Sequence, residues 1–128
     1  MKKLFVVIVL AITISTGFES VAQSVFDGKW VANLEKSTSV VKKDYSNNRI
    51  VGMVLSMMKN ATLEIVGTSV QQVAVGKKLK STGKLVGKNY EFSTGKNEKS
   101  TLSKIGNDIL MISTKSGKVN TVVIFSKK

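Results

Sequence analysis

Beyond residue 60 the chain alternates apolar and polar residues with a period of two, which is the pattern of a half-buried β-strand. Turn residues such as Gly67-Thr68, Gly87-Lys88 and Gly106-Asn107 separate these short runs. Because the breaks are so short, we expect consecutive strands to be joined as antiparallel hairpins. The predicted strands are 61–66, 69–75, 78–86, 89–93, 100–105, 108–114 and 119–126.

A further strand is predicted at 29–34, and one amphipathic helix at 44–59 follows it. Asp44, Ser46 and Asn47 are candidate N-terminal caps of this helix. Its predicted core face consists of residues 50, 54, 57 and 58, with 51 and 55 widening it.

Eight predicted strands with short, regular turns favour an up-and-down meander over a Greek key, which needs a long crossing connection. Closure into a barrel would remove the exposed sheet edges, and eight strands suit a closed barrel. The predicted fold is therefore mainly β: an eight-stranded antiparallel barrel with one amphipathic helix between strands 1 and 2. In these strands Leu63 and Ile65 face opposite to Glu64, and Tyr90 and Phe92 face opposite to Glu91, so one face of the sheet should be polar.

The N-terminus has the three parts of a secretory signal. Lys2 and Lys3 precede an apolar run at 4–14, and small residues at Ser20 and Ala22 occupy the −3 and −1 positions of a cleavage site. We expect cleavage after Ala22, a signal peptide at 1–22, a single domain at 23–128, and a periplasmic or secreted location. All but one of the predicted strands are shorter than the roughly 9–11 residues of membrane β-strands, so a membrane-spanning product is not expected.

The chain contains neither histidine nor cysteine. This composition removes the commonest general base, the thiol nucleophile and the commonest transition-metal ligands. Disulfides and a lipid anchor on cysteine are excluded as well. The few acidic residues form no calcium-loop spacing, and no glycine-rich loop precedes a helix. We therefore predict a protein that is not an enzyme, with no metal and no cofactor.

The formal charge is +12, and removing the signal peptide lowers it by only one charge. Lysines scattered over strands and turns are typical of a solubilising surface that also protects sheet edges. Attraction to anionic lipid or polysaccharide in the cell envelope is the alternative. Nucleic acid is the least favoured partner, because Arg49 is the only arginine and few aromatics are available for stacking.

The segment Gly28-Lys29-Trp30 resembles the Gly-Xaa-Trp opening of the first strand in lipocalins, and the hairpin at 83–92 and the run at 122–128 resemble small secreted bacterial lipocalin-like (calycin-type) proteins. In that family the tryptophan closes one end of the barrel and often stacks on an arginine of the last strand. The resemblance implies that Lys127 or Lys128 takes that arginine's place here. The helix after the first strand is placed as in intracellular fatty-acid-binding proteins.

Two functions follow from this fold. In the first, the protein carries a small apolar ligand inside the barrel; in the second, the barrel is filled and acts as an interaction module through its basic outer face. Met57, Met58 and Trp30 can be read either as core or as ligand contacts. The residues predicted to line the barrel or cover it as a lid are Trp30, Val54, Met57, Met58, Leu63, Ile65, Tyr90, Phe92, Met111 and Val123.

Overall fold

The computed structural model describes residues 25–128, so the predicted signal peptide lies outside the described residues. Eight strands form a closed barrel in the order β1 to β8, and each strand is antiparallel to both of its neighbours. The predicted fold class is thus confirmed. The elements are β1 Gly28–Ala32, α1 Leu34–Asp44, α2 Arg49–Met57, β2 Thr62–Val66, β3 Ser69–Ala74, β4 Lys77–Val86, β5 Asn89–Gly95, β6 Glu98–Ile105, β7 Asp108–Lys115 and β8 Lys118–Lys127.

The connection between β1 and β2 contains two short helices, so the prediction of one helix at 44–59 was wrong. Each helix begins at an asparagine whose side chain accepts a backbone hydrogen bond: Asn33 from Lys36 N and Asn48 from Val51 N, both at 3.1 Å. These caps satisfy N–H groups that the first turn of a helix leaves free. Tyr45 ends α1, and the short turn that follows separates the two helices.

The buried face of α2 matches the prediction only in part. Val51 and Leu55 are buried, as is Met58 at the C-cap, whereas Ile50 and Met57 point to solvent. Nearly every residue of this helix is apolar, so the sequence offered little polar contrast from which to choose its inner face. Among residues 25–128, no helix has both the length and the hydropathy needed to cross a membrane.

The barrel closes where β1 meets β8 over three residue pairs, Trp30 with Lys127 through Ala32 with Phe125. Beyond these pairs α1 replaces β1 as the partner of β8. The Ser37 hydroxyl accepts a hydrogen bond from Ile124 N at 2.7 Å, and Asn33 N donates to Ile124 O at 2.8 Å. Ser37 is fully buried, and its hydroxyl pairs with a backbone group of β8 that would otherwise lie unpaired beneath the helix.

Candidate ligand site at the open end of the barrel

The two ends of the barrel differ in chemistry. One end, here called the closed end, contains the β2–β3, β4–β5 and β6–β7 turns and the start of β1. The other, the open end, contains the β3–β4, β5–β6 and β7–β8 turns. Consecutive antiparallel strands place alternate turns at opposite ends, so this division follows from the meander itself.

Trp30 fills the closed end. Its indole Nε1 donates a hydrogen bond to Phe26 O at 3.0 Å, and only 1% of its surface is exposed. The ammonium groups of Lys127 and Lys104 lie 4.5 Å and 5.2 Å from the ring centre, within range of a cation–π interaction. Lys127 therefore occupies the position that the family resemblance assigns to an arginine.

Tyr90 packs beside this tryptophan end. Its ring centre lies 5.7 Å from that of Phe26, and its hydroxyl donates to Gly67 O at 2.6 Å. Burial raises the pKa of the Tyr90 phenol, and the nearby charge of Asp27 raises it further. A side chain at Gly83 would overlap the Tyr90 ring, so glycine is needed there for the close approach of β4 to that ring.

The middle of the barrel is filled with apolar side chains. Most of the predicted lining residues meet there in one cluster, each at most 5% exposed. Val54 packs against this cluster from α2, while Met57 is 55% exposed and points away from it. The predicted residues inside the cluster are Trp30, Met58, Leu63, Ile65, Tyr90, Phe92, Met111 and Val123.

A cavity of about 90 Å³ lies toward the open end, above the apolar cluster. We call it the cup. Met58 and Met111 are the predicted site residues that line it, together with Leu79, and most of its other lining residues are polar. The complete lining is Met58, Gln72, Leu79, Thr94, Glu98, Ser100, Met111, Ser113, Thr114, Asn120 and Thr121.

Paired hydroxyl groups form part of the cup. The Oγ atoms of Ser100 and Ser113 are 2.6 Å apart, and both side chains line the cavity. Thr121 donates to the Asn120 side chain at 3.0 Å. Ser100 and Thr121 are 3% and 9% exposed, so these polar groups lie within the barrel wall and not on its outer surface.

The sequence-based prediction of site residues did not include the hydroxyl residues of the cup, although they share strand faces with apolar residues. Ser100 shares its strand face with Leu102, and Thr121 shares its face with Val123 and Phe125, all of which are buried. The register of β8 shifts against β7 near Thr114, which leaves Asn120 without a paired partner. Such a bulge re-aims side chains, and the alternation of the sequence alone does not reveal it.

Lysines stand at the turns that surround the cup. Lys77, Lys96, Lys115 and Lys118 lie at or beside the three turns of the open end. Glu98 is the acidic residue of the cup; it accepts a hydrogen bond from Thr94 at 3.1 Å, and its carboxylate lies 3.9 Å from Lys115 Nζ. A ligand entering this end therefore approaches through positive potential.

A second depression, of about 390 Å³, lies where β4 and β5 separate. The two strands pair only from Gly83 to Val86, and the opening is lined partly by Glu91 and Lys99, which form an ion pair at 3.3 Å. These two charges therefore offset one another at the opening. Within the described part of the chain, no cluster of three or more histidine, cysteine or acidic side chains could hold a metal ion.

Comparisons with known proteins give a likeness in structure but not in sequence family. No protein-family model matches the chain, and no curated protein matches it. The structure is similar to that of zebrafish ileal bile acid-binding protein complexed with cholic acid, with 20% sequence identity and a TM-score of 0.43. The match covers 82% of this chain and 99% of the other. At this level of similarity, the description of the barrel rests on the strand pairing of the chain itself.

Proposed function

We propose that this protein is an exported binding protein, without enzymatic activity, which takes a small ligand at the open end of its barrel. The observation that supports this proposal is the cup. It is the space left inside a barrel whose closed end and middle are filled, and it combines two methionines with paired hydroxyls.

The lining indicates the kind of ligand. An apolar body would contact Met58, Met111 and Leu79, while a single polar group would reach the hydroxyls of Ser100 and Thr121. Pockets for drug-sized ligands measure roughly 300–1,000 Å³. At about 90 Å³, the cup suits a very small molecule or one end of a longer amphipathic one. Methionine side chains rearrange readily, so Met58 and Met111 could enlarge it.

Export is the second part of the proposal. It rests on the Lys2-Lys3, 4–14 and Ser20-Val21-Ala22 pattern of the N-terminus. Outside the cytoplasm, a chain without cysteine has no disulfide to stabilise it, and the filled closed end contributes apolar packing instead. The lack of histidine and cysteine likewise supports a binding role over catalysis.

Native mass spectrometry and uptake of an apolar fluorescent probe test the proposal. The Leu79→Trp variant should block the mouth of the cup and abolish uptake of the probe. Leu85→Trp is a matched control, because Leu85 lies on the same strand and face, is 39% exposed against 45% for Leu79, and sits at the closed end. The wild type and Leu85→Trp should retain probe and show a copurified small molecule.

A filled barrel that acts only as a basic interaction module is the second candidate, favoured by the solid apolar cluster. If the wild type takes up no probe and carries no copurified molecule, this second function replaces the first. Equal loss of uptake in the Leu79→Trp and Leu85→Trp variants would also contradict a site at the cup.

A further inference from the structure

Helix α2 has two apolar faces, and only one of them packs against the barrel. Val51, Leu55 and the capping Met58 are buried. Ile50, Met53 and Met57 are 58%, 67% and 55% exposed, respectively. Spacings of three and four residues place these three side chains on one side of the helix. We call them the outer stripe.

The outer stripe is not required by the fold. Its residues lie outside the buried apolar cluster, and a helix of nine residues would form equally well with glutamine or lysine at these positions. Scattered single apolar residues on a surface need no explanation, but a contiguous exposed set on one helix face marks an interaction site.

The charges near the stripe are mainly positive. Arg49 begins α2 immediately before Ile50, and Lys59 follows its last turn. No acidic residue occurs from Arg49 to Lys59. Asp44 and Glu64 flank this segment, each five residues away, and Asp44 lines one surface depression with Arg49 and Ile50. An apolar stripe with basic neighbours is the arrangement of a helix that lies in the headgroup region of a bilayer.

We propose that the outer stripe of α2 docks onto an anionic lipid surface. The stripe enters the boundary between headgroups and acyl chains, while Arg49 and Lys59 contact lipid phosphates. The overall charge of +12 favours approach to such a surface. A second copy of the chain fits less well, because a two-fold contact through this helix would bring the basic residues of both copies together. The proposal does not depend on a ligand in the cup.

Cosedimentation with two kinds of vesicle tests the docking surface. One kind is phosphatidylcholine alone, and the other contains phosphatidylglycerol as well. The wild type should bind the anionic vesicles, bind phosphatidylcholine vesicles weakly or not at all, and lose binding as salt is added. Trp30 is buried at the far end of the barrel, so its fluorescence is a poor reporter of docking.

The decisive variant carries Met53→Gln and Met57→Gln together, because glutamine keeps the side-chain length and the helix propensity of methionine. Its affinity for anionic vesicles should fall by about tenfold or more, as two apolar side chains no longer enter the lipid. A matched control carries Val66→Gln and Ile105→Gln, which alter two exposed apolar residues at the closed end. This control should bind like the wild type, and thermal unfolding should show that both variants are folded.

Two results would overturn the proposal. The first is equal binding of the wild type and the Met53/Met57 variant to anionic vesicles, or no binding by either. The second is a dimer of the wild type in sedimentation experiments that the same variant abolishes, with vesicle binding absent or unchanged. Either result can occur while the cup still takes up a probe, so the two proposals fail separately.

Discussion

The side chain of Lys127 lies across the indole of Trp30, with its ammonium 4.5 Å from the ring centre. The same two residues are paired across the β1–β8 ladder. Lys127 also donates a hydrogen bond to Asp27 O at 3.0 Å, in the segment that leads into β1. One exposed lysine thus joins the last strand, the first strand and the aromatic residue that fills the closed end.

Replacing this lysine should lower the stability of the barrel. Lys127→Met keeps the aliphatic stem but removes the charge over the ring, and we expect a loss of about 0.5–1 kcal/mol, the size of an exposed cation–π interaction. Lys127→Arg should preserve stability, because guanidinium groups also stack on aromatic faces. The free energy of unfolding in urea measures both effects. The neighbouring Lys128→Met is the control, and an equal loss in that variant would argue against a specific role for the Trp30 contact.

Two glycines should respond in opposite directions to alanine. A methyl group at Gly83 would overlap the buried Tyr90 ring, which is held by its bond to Gly67 O, so Gly83→Ala should destabilise the protein by about 1–3 kcal/mol. A methyl group at Gly52, within α2, would meet nothing within 4 Å. Gly52→Ala should therefore stabilise the protein by about 0.5–1 kcal/mol. Chemical denaturation measures the free energy of unfolding of both variants. A change in the same direction for the two variants would contradict this packing.

Ionisation of Tyr90 should make the fold sensitive to alkali. Its pKa in the folded protein is raised above the ordinary value of 10.0, because burial and Asp27 disfavour the phenolate. The protonated phenol therefore stabilises the fold fully below the unfolded pKa, and this contribution is lost as the pH rises through the folded pKa.

Unfolding free energies measured from neutral to alkaline pH should fall more steeply for the wild type than for Tyr90→Phe. At neutral pH the variant should already be less stable by about 1 kcal/mol, since Gly67 O loses its hydrogen bond. Identical alkaline profiles would contradict this role for Tyr90.

Processing of the N-terminus should depend on Ala22. In a bacterial host, the mass of the exported protein should correspond to a chain that begins at Gln23. Ala22→Phe places a bulky residue at the −1 position and should cause the unprocessed form to accumulate. Val21→Phe, at the more tolerant −2 position, is the matched control and should be processed. Recovery of an uncleaved chain from the wild type would refute the expected cleavage.

The strands were predictable because the period-two alternation of apolar residues and the turn residues between the runs agree along most of the chain. In β7, apolar residues fill both faces between Gly106-Asn107 and Gly117, and the structure places the strand at Asp108–Lys115 against a prediction of 108–114. Several of the turn glycines have positive φ, Gly106 at 63° and Gly117 at 81° among them, a conformation that suits glycine. Sequence alone therefore located the hairpins to within a residue or two at most strand ends.

The helices and the cup were harder for a physical reason. Helix α1 is rich in lysine, serine and threonine, so its sequence shows no clear helical period of apolar residues. Its role as a partner of β8 depends on the hydrogen bond between Ser37 and the backbone of Ile124, which only the structure shows. Serine and threonine occur both on solvent-exposed surfaces and in polar cavities, so the residue type alone does not show which way the side chain points. The inward direction of Ser100 and Thr121 depends on the register of the closed barrel, which local sequence does not fix.

The seam between β1 and β8 has a consequence for the order in which the molecule assembles. Every other pair of neighbouring strands is consecutive in the chain, and the six hairpins from β2 to β8 can each form as soon as their two strands have been synthesised. The seam joins residues such as Val31 and Ser126, which are nearly a full domain apart in sequence. Until β8 has been made, β1 is paired only with β2, the two helices lack the strand they pack against, and the sheet is open with two free edges. The barrel therefore gains its final shape only after the last strand has been made.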